Sequence, residues 1–123
     1  MQLEENSKPA RVFTKPIAKA KLESLENAAQ TQKKALSLVR AIRYKVDVLK
    51  NNSRYGQSIA KNRIPLIYRV EFNADNLYRV ELPQFWRFIY TVTRHPQTNE
   101  TIIFILDILP HPEYDKLFGY AKK

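Results

Sequence analysis

Nine residues near the C-terminal end, Thr101-Ile102-Ile103-Phe104-Ile105-Leu106-Asp107-Ile108-Leu109, restrict the fold more than any other segment of the chain. Apart from Thr101 and Asp107 they are apolar at odd and even positions alike. Successive side chains of a strand point to opposite faces, so a strand of this composition needs cover on both sides. A membrane-spanning helix takes about twenty apolar residues, which this stretch does not supply. It reads as a central strand in a sheet with both faces covered.

The residues before it supply its antiparallel neighbours. Leu77 to Leu82 alternates, with Tyr78, Val80 and Leu82 on one face and Leu77, Arg79 and Glu81 on the other. After a tight Pro83-Gln84 connection, Phe85 to Thr93 sets Trp86, Phe88, Tyr90 and Val92 against Phe85, Arg87, Ile89 and Thr91. Arg94 to Glu100 reads as a hairpin loop. Pro110 and Pro112 end the third strand, Glu113 to Phe118 reads as a short helical turn, and Lys122-Lys123 as a basic tail.

Upstream the period changes. Pro16 to Leu49 has no internal proline or glycine and is rich in alanine, leucine and lysine, a helical composition. Leu22, Leu25 and Ala29 form one apolar stripe, and Leu38, Ile42, Val46 and Leu49 a second. The polar stretch Asn27 to Lys34 between them predicts two helices with a turn, although no breaker residue forces it. Asn51-Asn52-Ser53 is expected to end the second helix, with asparagine accepting a left-handed cap. A loop through Gly56 reaches Lys61-Asn62-Arg63, Pro65 opens a short turn of helix, and Asn73 to Asn76 is a turn signal. Arg11-Val12-Phe13 reads as a short strand. The fold class expected is α+β, an N-terminal helical hairpin packed on a small, mainly antiparallel sheet. Residues 1–10 are expected as a polar extension and 11–123 as a single domain.

Composition and charge remove several functions. Cysteine is absent, so disulfides, thiolate catalysis and cysteine-ligated zinc are excluded. The two glycines, Gly56 and Gly119, form no phosphate-cradling loop, and the two histidines are too few for an all-histidine metal site. The acidic start Met1-Gln2-Leu3-Glu4-Glu5 lacks the apolar region of a secretion signal, so a cytoplasmic protein is expected. Net charge is +9, and its placement is one-sided. Residues 1–63 hold 14 Lys/Arg against 5 Asp/Glu, whereas residues 64–123 hold 7 of each. A basic half of this kind suits phosphates or an acidic partner, or else a solvated lysine-rich helix face.

Few side chains carry reactive chemistry. Serine–histidine–aspartate catalysis finds little to work with. His95 sits in a proline-flanked hairpin and is expected to be structural. His111, between two prolines at the end of the central strand, is placed either to transfer a proton into a cleft or to close a local hydrogen-bond network. Arg87 lies in a strand on the face of Phe85 and Ile89, and a guanidinium there needs a partner. Asp107 or Glu81 would be a structural one; a phosphate held by two parallel hydrogen bonds would be a functional one. Arg79 carries the same ambiguity. Lys61 and Arg63 are the loop candidates for phosphate contacts.

The run from Leu77 to Val92 resembles the two middle strands of the RelE/ParE toxin superfamily, an L-x-R-x strand, a short turn, then an aromatic-Arg-aliphatic-x-Tyr strand. Ile103 to Ile108 is similar to the apolar strand that follows, and His111-Pro112-Glu113-Tyr114-Asp115-Lys116 resembles the H-x-x-Y-D-K ending of HigB-like members. The resemblance spans nearly the whole chain. It implies a RelE-like fold and a type II toxin, usually a ribosome-dependent mRNA endoribonuclease neutralised by a cognate antitoxin protein. It implies metal-free acid/base cleavage with no cofactor, and mRNA and the ribosome as partners, with no membrane. By position it assigns Arg87 to the scissile phosphate, His111 and Tyr114 to the acid/base region, and Lys61, Arg63 and Arg79 to RNA contacts. The loop between strands and the ten extra N-terminal residues depart from the pattern, and so do two features of the C-terminal part. The C-terminal arginine that several RelE-type nucleases carry has no clear equivalent, and prolines flank His111. A non-catalytic module holding RNA or an acidic protein, and a ParE-like gyrase inhibitor, are the alternatives that the same fold allows.

Overall fold

The computed structural model describes residues 8–119, so most of the N-terminal extension and the Lys122-Lys123 tail lie outside the described residues. The elements in order are β1 (Arg11–Thr14), α1 (Pro16–Ala28), α2 (Lys33–Asn51), β2 (Gln57–Ser58), α3 (Leu66–Phe72), β3 (Tyr78–Glu81), β4 (Arg87–Arg94), β5 (Thr101–Leu109) and α4 (His111–Phe118). Single 3-10 turns cover Lys61–Arg63 and Pro83–Phe85. The strands form one five-stranded sheet in the order β1-β5-β4-β3-β2. β1 runs parallel to β5, and the other three neighbouring pairs are antiparallel. The chain is therefore α+β, with a mixed sheet and four α-helices among the described residues.

Both faces of the sheet are covered, as β5 requires. On one face α1 and α2 pack through Ala18, Leu38, Ile42 and Leu49 against Tyr78, Val80, Phe88, Tyr90, Ile103 and Ile105. On the other, α3 and α4 bring Tyr68, Tyr114 and Phe118 onto Leu77, Ile89, Leu106 and Leu109. The helical hairpin breaks where the sequence suggested, with a turn closed by bonds such as Gln32 N–H to Ala28 C=O at 2.9 Å. Antiparallel packing lets both apolar stripes reach the same face, which a single long helix could not do.

The alternation along β5 changes phase once. Ile89 pairs with Asp107 and Tyr90 with Ile105, so Leu106 is an extra residue bulged from the ladder. As a result Ile103, Ile105 and Ile108 serve the hairpin face, while Leu106 and Leu109 serve the opposite one. Asp107, at the switch, accepts a hydrogen bond from Lys21 Nζ of α1 at 2.9 Å, and the same ammonium reaches Glu113 of α4 at 3.1 Å. Burial alone would lower the Lys21 pKa, but these two carboxylates outweigh it and hold it above the ordinary lysine value.

A second anchor fixes the loop after α2. The Tyr90 hydroxyl is fully buried, donates to Ser53 C=O at 2.9 Å and accepts the Gly56 N–H at 2.9 Å. Gly56 has to be glycine, because a Cβ there would lie 2.9 Å from both the Arg79 carbonyl oxygen and the Tyr90 ring. This clamp seats β2 beside β3.

Three sequence expectations need correction. β4 begins at Arg87 and not at Phe85: Gln84 and Phe85 both take φ of 63°, and the three-residue turn closes through Leu82 N–H to Trp86 C=O at 2.9 Å. Gln84 Nε2 donates to the Lys34 carbonyl at 3.0 Å, which holds this left-handed turn against α2. Asn52 ends α2 at φ −151°, so no left-handed cap forms. α4 starts at His111, two residues earlier than expected, because Pro112 falls in the first turn where its missing N–H has no helical partner to lose. At the opposite end Ala10 is buried and donates its N–H to Lys50 C=O at 2.7 Å, so the packed core includes the last residue of the segment read as extension.

Replacing Tyr90 by phenylalanine leaves the Ser53 carbonyl and Gly56 N–H unpaired and is expected to cost about 1–3 kcal/mol in denaturant unfolding. Burial raises the Tyr90 pKa to about 12, so the native state keeps a proton that the unfolded chain releases above pH 10. Wild-type stability therefore loses roughly 1.4 kcal/mol per pH unit to this group as pH rises from the ordinary phenol value through the raised one. The Tyr90→Phe difference from wild type shrinks correspondingly over that window, and melts recorded from pH 8 to 12 check it.

Candidate functional site

The alternation of β3 and β4 sends Arg79, Glu81 and Arg87 to the face covered by α3 and α4. Glu81 stands directly across from Arg87 in the β3–β4 register, and Arg79 is two residues back on the same strand. Glu81 serves both guanidiniums. Its Oε2 is 3.1 Å from Arg79 Nε and its Oε1 is 3.3 Å from Arg87 Nε. Of the two partners the sequence offered for Arg87, Glu81 takes the role and Asp107 is engaged by Lys21.

α4 closes the site from beneath. The Tyr114 ring lies 4.5 Å from the Arg87 guanidinium carbon and 5.6 Å from that of Arg79, a cation–π arrangement. Its hydroxyl accepts a hydrogen bond from Arg79 Nη1 at 2.8 Å. Tyr114 is only 1% exposed, so it acts here as a platform that fixes two cations. Arg79 Nη2 donates to the Gln57 side chain of β2. Each nitrogen of Arg79 thus faces a protein group, and Arg79 ties β2, β3 and α4 together.

Arg87 differs. Its Nη1 lies 3.2 Å from His111 Nδ1, and among the described residues its Nη2 has no hydrogen-bond partner within the protein. A guanidinium only donates, so His111 Nδ1 accepts and the neutral ring carries its proton on Nε2. The Asp115 carboxylate, one helical turn on, lies 3.0 Å from Nε2 at ion-pair distance but outside hydrogen-bond geometry. His111 is half-exposed and the Phe85 ring, itself solvent-facing, lies 6.0 Å from it. The result is a linked row, Glu81–Arg87–His111–Asp115, with its imidazole at the surface and its cation mostly covered.

The candidates fall into two groups. Arg79, Arg87, His111 and Tyr114 come together, and Arg63 lies beside Arg79 on a cleft of about 180 Å³ that Gln57 and Ser58 also line. Lys61 is set apart, lining a separate depression of about 250 Å³ with Arg69 and Asp75, and its carbonyl accepts a hydrogen bond from Arg69. His95 closes its own hairpin, its Nδ1 accepting the Gln97 and Thr98 N–H groups at 3.1 and 3.3 Å. Sequence reasoning offered Glu81 to each arginine separately, and missed the place of Asp115. The four-residue spacing of His111 and Asp115 would have revealed the second had the helix been started two residues earlier.

Among the described residues no three His, Asp or Glu side chains converge as a metal-ligand set, and no helix is long and apolar enough to cross a membrane. Comparison of the chain with protein-family models, with curated proteins and with solved structures finds no significant match in any of them.

Tyr114 has two separable roles. Tyr114→Phe keeps the ring under Arg87 and removes the acceptor for Arg79, with an expected cost of about 1–2 kcal/mol. Tyr114→Ala removes the platform as well and leaves a cavity, with an expected cost of about 3–5 kcal/mol. Urea unfolding of the two variants distinguishes them; equal losses would mean that the ring contributes nothing as a platform.

Proposed function

We propose that this chain is a RelE-like type II toxin, a cytoplasmic endoribonuclease that cuts mRNA on the ribosome and is neutralised by an antitoxin protein. The observation that carries the reading is the pairing of Arg87 with His111 at 3.2 Å, a permanent cation in contact with a half-exposed imidazole. The resemblance of the Leu77–Val92 and His111–Lys116 segments to that superfamily names the same two residues. Two helices against a small sheet also agree with it.

In this reading Arg87 holds the scissile phosphate and stabilises charge that builds on its non-bridging oxygens. As the phosphate draws the guanidinium, the His111 Nδ1 lone pair is released to take the proton of the adjacent 2′-hydroxyl. The 2′-oxygen then bonds to phosphorus, the bond to the 5′-oxygen breaks, and that oxygen is protonated from solvent at the open rim. The products are a 2′,3′-cyclic phosphate and a 5′-hydroxyl. Tyr114 supports the Arg87 cation, and the Asp115 carboxylate stands beside the charge that the imidazole gains.

A second reading rests on α2, whose solvent face carries Lys33, Lys34 and Arg40 beside Tyr44, which is 66% exposed. A basic face with an exposed aromatic suits a non-catalytic module for RNA or an acidic protein. Charge reversal at Lys33, Lys34, Arg40 and Arg43 would abolish that binding, whereas loss of Arg87 would not. A gyrase inhibitor would stop DNA supercoiling before translation.

Induced expression in a bacterial host with primer-extension mapping of mRNA tests the nuclease. Wild type is expected to cut within translated codons, and Arg87→Ala and His111→Ala to lower cleavage by about 10²–10³-fold while remaining folded. Undiminished toxicity in both folded variants would reject the site assignment, and intact message in wild type would leave the binding module as the better reading.

A further inference from the structure

Glu81 holds an unusual position. A single carboxylate is shared between two guanidiniums, with one oxygen for each Nε, at 3.1 and 3.3 Å. A carboxylate or phosphate ordinarily makes a paired, two-bond contact with the Nε–Nη2 edge of a guanidinium. At Arg87 the mismatch is clearest. Its buried Nε lies within ion-pair distance of Glu81 but outside hydrogen-bond geometry, and its Nη2 has no protein partner among the described residues.

Exposure is also asymmetric. The Glu81 side chain is 56% exposed, whereas those of Arg79 and Arg87 are 19% and 15% exposed. Arg79 is held by Tyr114 and Gln57 and Arg87 is stacked over the Tyr114 ring, so both guanidiniums are more confined than the carboxylate. The carboxylate can rotate into water and be solvated there, at a loss of the small size that half-exposed ion pairs show. A phosphodiester carries the same single negative charge, so an exchange leaves the local charge balance unchanged.

We propose that Glu81 is an internal stand-in for the ligand phosphate: it occupies the Nε of Arg87 in the free protein, and a bound phosphodiester displaces it and takes Nε and Nη2 together. Arg79 stays in place throughout, because its Nη1 and Nη2 remain on Tyr114 and Gln57. The inference rests on the reading of Arg87 as a phosphate contact, and adds that this contact is made in competition with the protein's own carboxylate. Glu81 thereby keeps two nearby cations compensated when no ligand is present and sets the affinity of the site.

The test is a binding titration of the full chain with a short 2′-O-methyl RNA, which cannot be cleaved through its 2′-oxygen, and in parallel with inorganic phosphate. Glu81→Gln, which keeps the shape and removes the charge, and Glu81→Ala are each expected to bind the RNA about fivefold more tightly than wild type. In wild type, the nuclear Overhauser contact between the Glu81 γ-protons and the Arg87 Nε proton is expected to vanish on saturation. Unchanged or weaker affinity in the folded Glu81 variants, or persistence of that contact at saturation, overturns the proposal. Arg87→Gln separates the two claims. If it abolishes binding while Glu81→Gln has no effect, the phosphate contact stands and the stand-in falls. If Arg87→Gln binds as wild type does, or if neither wild type nor the Glu81 variants bind, both fall.

Discussion

β5 has no face that tolerates water, and the other elements are arranged around that requirement. Fully burying an isoleucine or leucine contributes roughly 1.5–3 kcal/mol, so leaving either side of this strand open would outweigh any single polar interaction in the domain. The helical hairpin of α1 and α2 closes one side and α3 with α4 closes the other. β4 pairs the strand from Thr101 to Leu109, and β1 pairs Ile102 to Ile105 on its other edge. The bulge at Leu106 lets Asp107 leave this apolar series and meet Lys21, which ties α1 to β5 and to the first turn of α4.

The same enclosure creates the site. Once α4 lies against the sheet, Tyr114 covers the strand arginines, and cations that cannot lose their charge have to find acceptors close by. Arg79 and Arg87 illustrate how context divides one residue type into two roles. Both occupy the same face on neighbouring strands and both meet Glu81. Arg79 is bound by Gln57 and Tyr114 into a strut, whereas Arg87 lies under the half-exposed His111 with part of its fork unfilled. The imidazole in turn has Asp115 at ion-pair distance through an i,i+4 contact that exists only because the helix begins at His111.

Much of this was legible beforehand, for a definite reason. Period-two alternation assigned Tyr78, Val80, Phe88 and Tyr90 to one face and Leu77, Arg79, Arg87 and Ile89 to the other, and the clusters follow that division. The two stripes at Leu22–Leu25 and Leu38–Leu49 marked the helical hairpin. The departures occur where local sequence rules compete. Pro112 reads as a breaker in isolation but is neutral in a first helical turn. Phe85 has strand character, yet the short connection to β3 forces it into the left-handed region and out to solvent. Asn52 could take a left-handed cap, but the chain turns toward the Tyr90 clamp instead.

Alternation, helical periodicity and the absence of cysteine are local properties, and they were sufficient for the α+β class and for the division of β3 and β4 residues between two faces. Which distant partner each cation meets was not local. Lys21 finds Asp107 across 86 residues, Arg79 finds Tyr114 across 35 and Arg87 finds His111 across 24. Those pairings depend on the register of β3 against β4, on a one-residue bulge and on where α4 starts. The tertiary structure alone decided them, because a buried charge selects among distant partners by geometry, after packing has determined which ones are within reach.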